Sequence, residues 1–250
     1  MSAAVTNLFL ESLPSRERQA VAEAGEVVAL HAGDILYQPG EAFGYVYFPL
    51  GCVIAITTPL GDGKTVESVT VGREGLAGIR FFLGAIYSRN QVFVQIDGDC
   101  LRVPTAAFKN MLEELPVFRS RIGPFTEAFM ASMSQSSACL ATHQVTERCA
   151  RWLLMAADRL GAESFRLTQE SLAAMLGNHR PTVSLSAAAL QSQGLIKYHR
   201  GRMEIVDRQG LEAASCECYR VVSDIFSELY GGAAATVLGH TQRVAAAPLE

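Results

Sequence analysis

The residues best suited to chemistry are four cations in a short stretch of the chain. Arg180, Lys197, Arg200 and Arg202 lie between residues 178 and 203, a segment without a single acid, although the net charge of the 250-residue chain is -4. A cationic island in an acidic chain is typical of a surface that contacts phosphates. The alternative is a helical hairpin with a solvated basic face.

The residues before this stretch predict a helix followed by a tight turn. Thr168 is placed to accept a hydrogen bond as the N-cap, and Glu170 in the first turn suits the helix dipole. Leu172 and Leu176 form an apolar stripe on one side. Gly177 stands where a helix C-terminus needs a positive φ angle.

A second helix is predicted from Arg180, with Pro181 tolerated in its first turn. Val183, Ala187 and Leu190, spaced by four and three residues, place one face on the core, and Gly194 ends the helix. Ser184, Leu185 and Ala188 lie on the other side.

Two short strands, 196–198 and 203–206, are predicted after the second helix, with a turn through Gly201, and a third strand, 165–167, precedes the first helix. Two helices and a basic hairpin in this order are typical of a winged helix-turn-helix, whose second helix enters the DNA major groove. The candidate DNA-binding residues are Thr168, Gln169, His179, Arg180, Thr182, Ser184, Leu185, Ala188, Arg200 and Arg202.

Composition limits the remaining possibilities. A hydrophobic content of 49% supports well-filled cores, and a pI near 5.8 argues against a general polyanion binder. Residues 1–10 lack the basic start and apolar run of a signal peptide, and no apolar segment approaches membrane-spanning length. We therefore expect a cytoplasmic protein with no membrane partner.

Residues 26–103 have the texture of an antiparallel β-roll or jelly roll, because short β-branched and aromatic runs alternate with turn signals. Such a roll could also be a metal-dependent enzyme of the cupin kind, which needs several histidines and a carboxylate. His31 is the only histidine in this half of the chain. The sequence therefore argues against the enzyme, and no catalytic residue is assigned.

Helical pattern returns after residue 103, with a short helix over 105–115 and a longer one ending near Thr142. Gly123 and Pro124 are expected to break this stretch or to start the second helix. The longer helix carries an apolar stripe, which we expect to pair with the same helix of a second copy. The stripe consists of Phe125, Phe129, Met133 and Leu140. The alternative is that it covers the roll of its own chain.

The predicted organisation is a roll domain over 1–115, a dimerisation helix and hinge over 116–143, and a winged helix-turn-helix domain over 144–230. Residues 231–250, which are rich in alanine, are expected to be disordered. His143 at the hinge is a candidate pH-responsive group, or simply a polar surface residue.

The six cysteines do not form a disulfide framework and should be reduced in a cytosol. Cys216 and Cys218 are the only close pair. On a helix their side chains would point about 200° apart, which argues against a metal site. No metal ligand is therefore predicted.

The order of a β-roll, a long helix and a winged helix-turn-helix resembles the CRP/FNR superfamily of bacterial transcription regulators over about residues 7–230. The likeness is strongest in LTQESLAAMLGNHRPTV and RGRMEIVDRQGLE. It implies an α+β fold with a cyclic-nucleotide-binding-like domain. It also implies a homodimer on a near-palindromic DNA operator, and contact with RNA polymerase.

The recognition helix departs from the pattern of that family, which often reads Ser-Arg-Glu-Thr-Val followed by a later arginine. Here the matching run is 179–183, with Pro181 in place of the acid and Leu185 where the arginine is often found. Arg180 remains a candidate for a guanine or phosphate contact, and small or apolar groups suit thymine methyls. We therefore expect an operator different from that of the cyclic-AMP receptor.

The effector region departs further. Gly78 matches the family's glycine, but Ile79 stands in place of the ribose-binding glutamate, and Arg89 near the phosphate position is followed by Asn90. Glu74 would substitute only in a shifted alignment. The candidate effector residues are Glu74, Gly78, Arg89 and Asn90, and a cyclic-nucleotide-responsive protein stays as the alternative function. The N-terminal cysteine cluster of iron–sulfur sensors is missing, so the effector is left unknown.

Overall fold

The computed structural model describes residues 6–61 and 65–231. The helices are α1 (Leu8–Glu11), α2 (Ser15–Glu23), α3 (Ile79–Phe82), α4 (Thr105–Glu114), α5 (Pro116–Thr142), α6 (Val145–Leu160), α7 (Gln169–Met175), α8 (Arg180–Ser192), α9 (Arg208–Ala213) and α10 (Cys218–Tyr230). The strands are β1 (Glu26–Leu30), β2 (Ile35–Tyr37), β3 (Tyr45–Pro49), β4 (Val53–Pro59), β5 (Thr65–Val71), β6 (Gln91–Ile96), β7 (Gly98–Pro104), β8 (Ser164–Arg166), β9 (Ile196–His199) and β10 (Arg202–Ile205).

The first seven strands form a roll of two antiparallel sheets, ordered β1-β7-β3 and β2-β6-β4-β5. Side chains from both sheets share one core, because alternate residues of each strand point inward. This core includes Tyr37, Tyr47, Ile54, Val92 and Cys100. The predicted α+β fold class, with an antiparallel roll, a long helix and a C-terminal helix-turn-helix, is confirmed.

The long helix α5 runs without interruption from Pro116 to Thr142. The prediction that Gly123 and Pro124 would break or start it is wrong, since Pro124 lies inside the helix. An interior proline costs about 3 kcal/mol because it removes a backbone hydrogen bond and crowds the preceding turn. Ile122 and Phe125 on either side are buried in the same core. Their packing holds the helix together through the proline.

The predicted dimer stripe on α5 mainly faces its own chain. Phe125 and Phe129 are buried, stack with their ring centroids 6.0 Å apart, and belong to the core under the roll, where Phe125 also packs edge-on against Phe9. Met133 is half-buried against the same core, and Leu140 alone is largely exposed. The assignment to a partner helix is therefore wrong for Phe125 and Phe129, because the roll and the N-terminal helices cover them, and Leu140 alone keeps an exposed side chain.

A different face of α5 is exposed. Its residues follow one another at spacings of four, three, four, three and four, which is the heptad spacing of paired helices. They are Gly123, Glu127, Met130, Ser134, Ser137 and Ala141. We call this the α5 outer face. Met130, which is 58% exposed, is its one large apolar side chain.

The C-terminal half has its own core, formed by α6 to α9, the sheet β8-β10-β9 and the start of α10. This core is continuous with the roll, because Val53, Ala55 and Ile96 of the roll belong to the same cluster as Trp152 of α6. α10 packs along α5, with Val222 and Phe226 joining the core under the roll. The predicted boundaries near residues 115 and 143 fall at helix ends.

The expectation that Cys216 and Cys218 point apart is wrong. Cys218 is the first residue of α10, but Cys216 lies before it in the connection from α9, where helical geometry does not apply. The chain turns there, and both thiols are buried beside Cys139 of α5. The expectation assumed that one helix contains both Cys216 and Cys218, and the structure shows that it contains only Cys218.

The predicted disordered tail, 231–250, lies outside the described residues apart from Gly231. Among the helices of residues 6–61 and 65–231, none is long and apolar enough to cross a membrane.

Candidate nucleic-acid interface

The helix-turn-helix is formed by α7 and α8. The Thr168 hydroxyl oxygen accepts a hydrogen bond from the Ser171 N–H at 3.0 Å and so caps α7, as predicted. Gly177 has φ +59° and turns the chain toward α8. The buried guanidinium of Arg148 on α6 donates to the Leu176 carbonyl at the end of α7, which also accepts from Nδ2 of Asn178 at 3.1 Å. The turn between α7 and α8 is therefore fixed by the backbone conformation of Gly177 and by the hydrogen bond from Arg148.

α8 is oriented by its buried face. Val183, Ala187 and Leu190 are buried against the core of the C-terminal half, as their spacing predicts. The Ser186 hydroxyl lies 3.0 Å from that of Thr146 at the start of α6. With this face fixed, the opposite face of α8 points away from the core.

The opposite face of α8 carries most of the predicted base-reading residues. Arg180, Thr182 and Ala188 are exposed, and Leu185 is 73% exposed, the largest value among the exposed apolar side chains of the described residues. The exposed face of α8 therefore offers one cation and one large apolar side chain to solvent, at positions where a recognition helix would contact base edges.

Four of the candidates make side-chain hydrogen bonds within the domain: Thr168, Gln169, Ser184 and Arg202, whose Nε donates to the Ser164 hydroxyl at 3.0 Å. The Ser184 hydroxyl donates to Oε1 of Gln169 at 2.8 Å, which ties α8 to the start of α7. The Thr168 hydroxyl is held by its capping role. His179, exposed, is the N-cap position of α8 and makes no side-chain capping bond. These residues are near the exposed face, and no contact with DNA is assigned to them by geometry alone.

The wing is the hairpin of β9 and β10. Its tip is Arg200 and Gly201, with φ +48° and +74°, the pair of positive φ angles that a two-residue hairpin turn requires. Glycine adopts this conformation freely, but an arginine is strained there by roughly 1 kcal/mol. In the described residues Arg200 is the only non-glycine residue with a positive φ angle.

Sequence reasoning missed Arg166. It lies on β8 directly opposite Arg202 of β10, and both side chains are exposed. Like charges facing each other across a sheet are destabilising unless an anion lies between them. The sequence predicted a strand over 165–167 and another over 203–206, but it did not predict that these two strands pair.

A cleft of about 580 Å³ separates the wing from the roll. Arg166, Arg200 and Arg202 line one side together with His199, and Asp97 and Gln95 of the roll line the other. The wing cations thus face partly toward the roll of the same chain. Access of a duplex to them depends on how the two halves are oriented.

The candidate effector residues are not joined to one another by any hydrogen bond or ion pair among the described residues. Glu74 is buried in an ion pair with Arg159 of α6 and also accepts from the Gly72 N–H, so its assignment to an effector is corrected: its carboxylate is already occupied. Arg89 is exposed, and Asn90 bonds to Arg80 at 2.7 Å. Gly78, with φ +103°, is the N-cap of α3.

The comparisons with known proteins agree with this geometry. Residues 147–214 match the family described as the Crp-like helix-turn-helix domain. A search of curated protein sequences finds no match.

Solved structures match most of the chain. FixK2 from Bradyrhizobium japonicum is 18% identical, with a TM-score of 0.66 over 77% of this chain and 98% of its own. CLP from Xanthomonas campestris, a c-di-GMP responsive global regulator, is 14% identical, with a TM-score of 0.62 over 77% and 99%. A CooA variant from Carboxydothermus hydrogenoformans is 20% identical, with a TM-score of 0.59 over 84% and 96%. At these identities the likeness shows the fold.

The helix-turn-helix with an exposed second helix and the match over residues 147–214 define a DNA-binding domain of the Crp-like kind. The chain has the overall fold of solved regulators of the CRP/FNR family, in agreement with the predicted resemblance. A Crp-like DNA-binding domain argues against the cupin-like enzyme.

Proposed function

We propose that the protein is a homodimeric, sequence-specific regulator that reads a near-palindromic operator with α8 and grips its phosphates with the wing. The observation that carries the proposal is the exposed face of α8, with Arg180 and Leu185, within a stretch over residues 178–203 that has four cations and no acid in a chain of net charge -4. Arginine suits guanine edges and phosphates alike, and Leu185 suits thymine methyls. With Pro181 in place of the usual acid, the operator differs from that of the cyclic-AMP receptor.

The dimer forms through the α5 outer face. Its residues are small apart from Glu127 and Met130, so two helices can approach closely along the heptad spacing. Helix-turn-helix proteins commonly place two recognition helices about one DNA turn apart, which requires a second copy. Contact with RNA polymerase and a cytoplasmic location belong to the same proposal.

A signal acts on the orientation of the winged helix-turn-helix domain, which we call the reader, relative to the roll. The two halves share a core and a buried ion pair, and the wing arginines face the roll across the cleft. A ligand shifts such an equilibrium only by its different affinity for the two orientations. The effector is not assigned. A cyclic nucleotide stays as the alternative, with Arg89 and Asn90 as the candidates that remain.

The test is selection of bound sequences from a random duplex library, followed by affinity measurements against salt. We expect a near-palindromic consensus unlike that of the cyclic-AMP receptor. If all four cations of each subunit contact phosphates, eight contacts per dimer give a slope of log affinity against log salt of about −7. Equal affinity for the selected and random duplexes would contradict the proposal.

A further inference from the structure

Four potential metal ligands from distant parts of the chain meet where α5 ends. Cys139 and His143 lie one turn apart at the C-terminal end of α5, while Cys216 and Cys218 flank the start of α10. Their ligand atoms, three sulfurs and an imidazole nitrogen, all lie within 4.8 Å of one another. The three cysteines are buried, and His143 is half-buried at the rim.

The spacing of these atoms fits a tetrahedral ion. Sγ of Cys139 and Sγ of Cys216 are 3.5 Å apart, and Sγ of Cys218 is 3.6 Å from Nδ1 of His143. Zinc bonds of about 2.3 Å to sulfur and 2.0–2.1 Å to nitrogen place two sulfurs about 3.8 Å apart, and a sulfur and a nitrogen about 3.6 Å apart, at tetrahedral angles. The observed separations are therefore already close to those that the ion requires.

The donor set selects the metal. Three thiolates and one imidazole are the ligands of structural zinc sites, in which protein atoms occupy all four positions. Magnesium and calcium prefer oxygen ligands, which this cluster lacks. We propose that Cys139, His143, Cys216 and Cys218 bind a structural Zn²⁺ ion that ties the end of α5 to the start of α10.

The surrounding groups support this assignment. Nε2 of His143 is 3.2 Å from a carboxylate oxygen of Glu217, and metal-bound histidines usually donate their other N–H in this way. Nδ1 faces the thiol of Cys218 and lies 3.3 Å from the Thr142 hydroxyl, a contact that the ion would replace. Nε2 of Gln135 donates to Sγ of Cys218 at 3.0 Å, a bond that favours the thiolate.

The position of the site gives it a structural role. α6, the first helix of the reader, begins at Val145, two residues after His143. α10, which follows the reader in the chain, packs back along α5. An ion bound here therefore joins the segment that leads into the reader, at the end of α5, to the segment that follows it, at the start of α10. Such an ion also stabilises the fold, because structural zinc contributes directly to folding energy.

The first experiment uses the full chain, purified and kept reduced without oxygen. Elemental analysis is expected to give one zinc per chain, or one after reconstitution with Zn²⁺. Replacement by Co²⁺ is expected to give thiolate charge-transfer absorption and the intense visible bands of a tetrahedral site. A reduced wild-type protein that binds neither ion, or a Co²⁺ spectrum of octahedral type, overturns the proposal. This arm needs no variant to fold.

The second experiment compares Cys216→Ser with Cys149→Ala, which removes a buried thiol of α6 outside the cluster. Zinc content is expected to fall at least tenfold in Cys216→Ser and to stay at one per chain in Cys149→Ala. A strong chelator should lower the Tm of the wild type and of Cys149→Ala, and leave that of Cys216→Ser unchanged. Stoichiometric zinc in Cys216→Ser overturns the proposal.

Discussion

Arg159 of α6 and Glu74 of the roll form a buried ion pair, with Nε of the arginine 2.7 Å from Oε1 of the glutamate. The Arg159 guanidinium also donates to the hydroxyl of Thr70 on β5. Nearby, Nε of Arg73 donates to the Asp158 carbonyl at 3.0 Å. These bonds join the winged helix-turn-helix domain to the roll. The orientation of the domain therefore depends on groups that lie far apart in the sequence.

Replacing Glu74 by glutamine should destabilise the protein strongly. The change leaves the buried Arg159 charge without its partner, which typically costs about 3–5 kcal/mol. Urea unfolding followed by tryptophan fluorescence measures this, because Trp152 lies in the adjoining core. Glu163→Gln is the control: Glu163 is half-exposed and shares Arg208 with other acids, so a loss below about 1 kcal/mol is expected. Equal losses in the two variants would show that the buried ion pair of Glu74 with Arg159 stabilises the fold no more than the pair of the half-exposed Glu163 with Arg208.

Glu67 should make stability depend on pH. Burial at the interface raises the pKa of this carboxyl above its ordinary value, and its two donors, Gln95 and Trp152, are both at a long 3.4 Å. The folded state therefore holds this proton more tightly than the unfolded chain. Its stabilising contribution is full below the ordinary glutamate pKa of about 4.3 and is lost as the pH rises through the raised folded value.

Glu67→Gln removes that titration. We expect its Tm at pH 7 to exceed that of the wild type, and the difference to shrink as the pH falls toward about 4.3. Thermal unfolding across this pH range provides the measurement, with Glu163→Gln again as the control. A Tm difference that does not change with pH would contradict the assignment.

Arg200→Asn should raise stability and weaken DNA binding together. Asparagine tolerates the positive φ angle at the wing tip better than arginine, so up to about 1 kcal/mol of strain is relieved. Loss of a phosphate contact should lower affinity for all duplexes alike and reduce the salt slope by about 2, one for each subunit of the proposed dimer. Weaker binding to one sequence only would argue against a phosphate contact.

Arg180→Ala should relax sequence preference. If its side chain reads a guanine edge, the loss at the preferred operator is about 1–3 kcal/mol, and random duplexes are affected less. Competition binding between the two duplexes measures the ratio. Lys109→Ala on α4, an exposed cation distant in the chain, is the control and should change neither affinity. If Arg180→Ala weakens both duplexes equally, Arg180 contacts phosphate and not bases.

Met130→Glu should separate the proposed dimer. The new carboxylate at the one large apolar position of the α5 outer face would be buried against its copy without a partner, and it would repel Glu127 on the same face. Sedimentation velocity should show a shift to monomer, with loss of operator binding. Ile86→Glu alters a side chain that is 67% exposed outside α5 and should leave the dimer intact. A dimeric Met130→Glu variant would place the interface elsewhere.

The sequence by itself determined the elements whose signals are local. The cap Thr168, the positive-φ glycine Gly177 and the buried residues Val183 and Leu190 lie within a few residues of the structures that they specify, so the exposed face of α8 followed from periodicity. The spacing of four between Cys139 and His143 was also visible in the sequence. Their contacts with Cys216 and Cys218, which lie 77 and 75 residues further along the chain, were not.

Only the tertiary structure decided which surface covers which. The apolar stripe of Phe125 and Phe129 fits either a partner helix or the roll of its own chain, and periodicity cannot distinguish them. Glu74 and Arg159 are 85 residues apart, and their pairing depends on how two halves dock. Such contacts arise from packing among segments that are distant in the chain, and a local pattern carries no information about them.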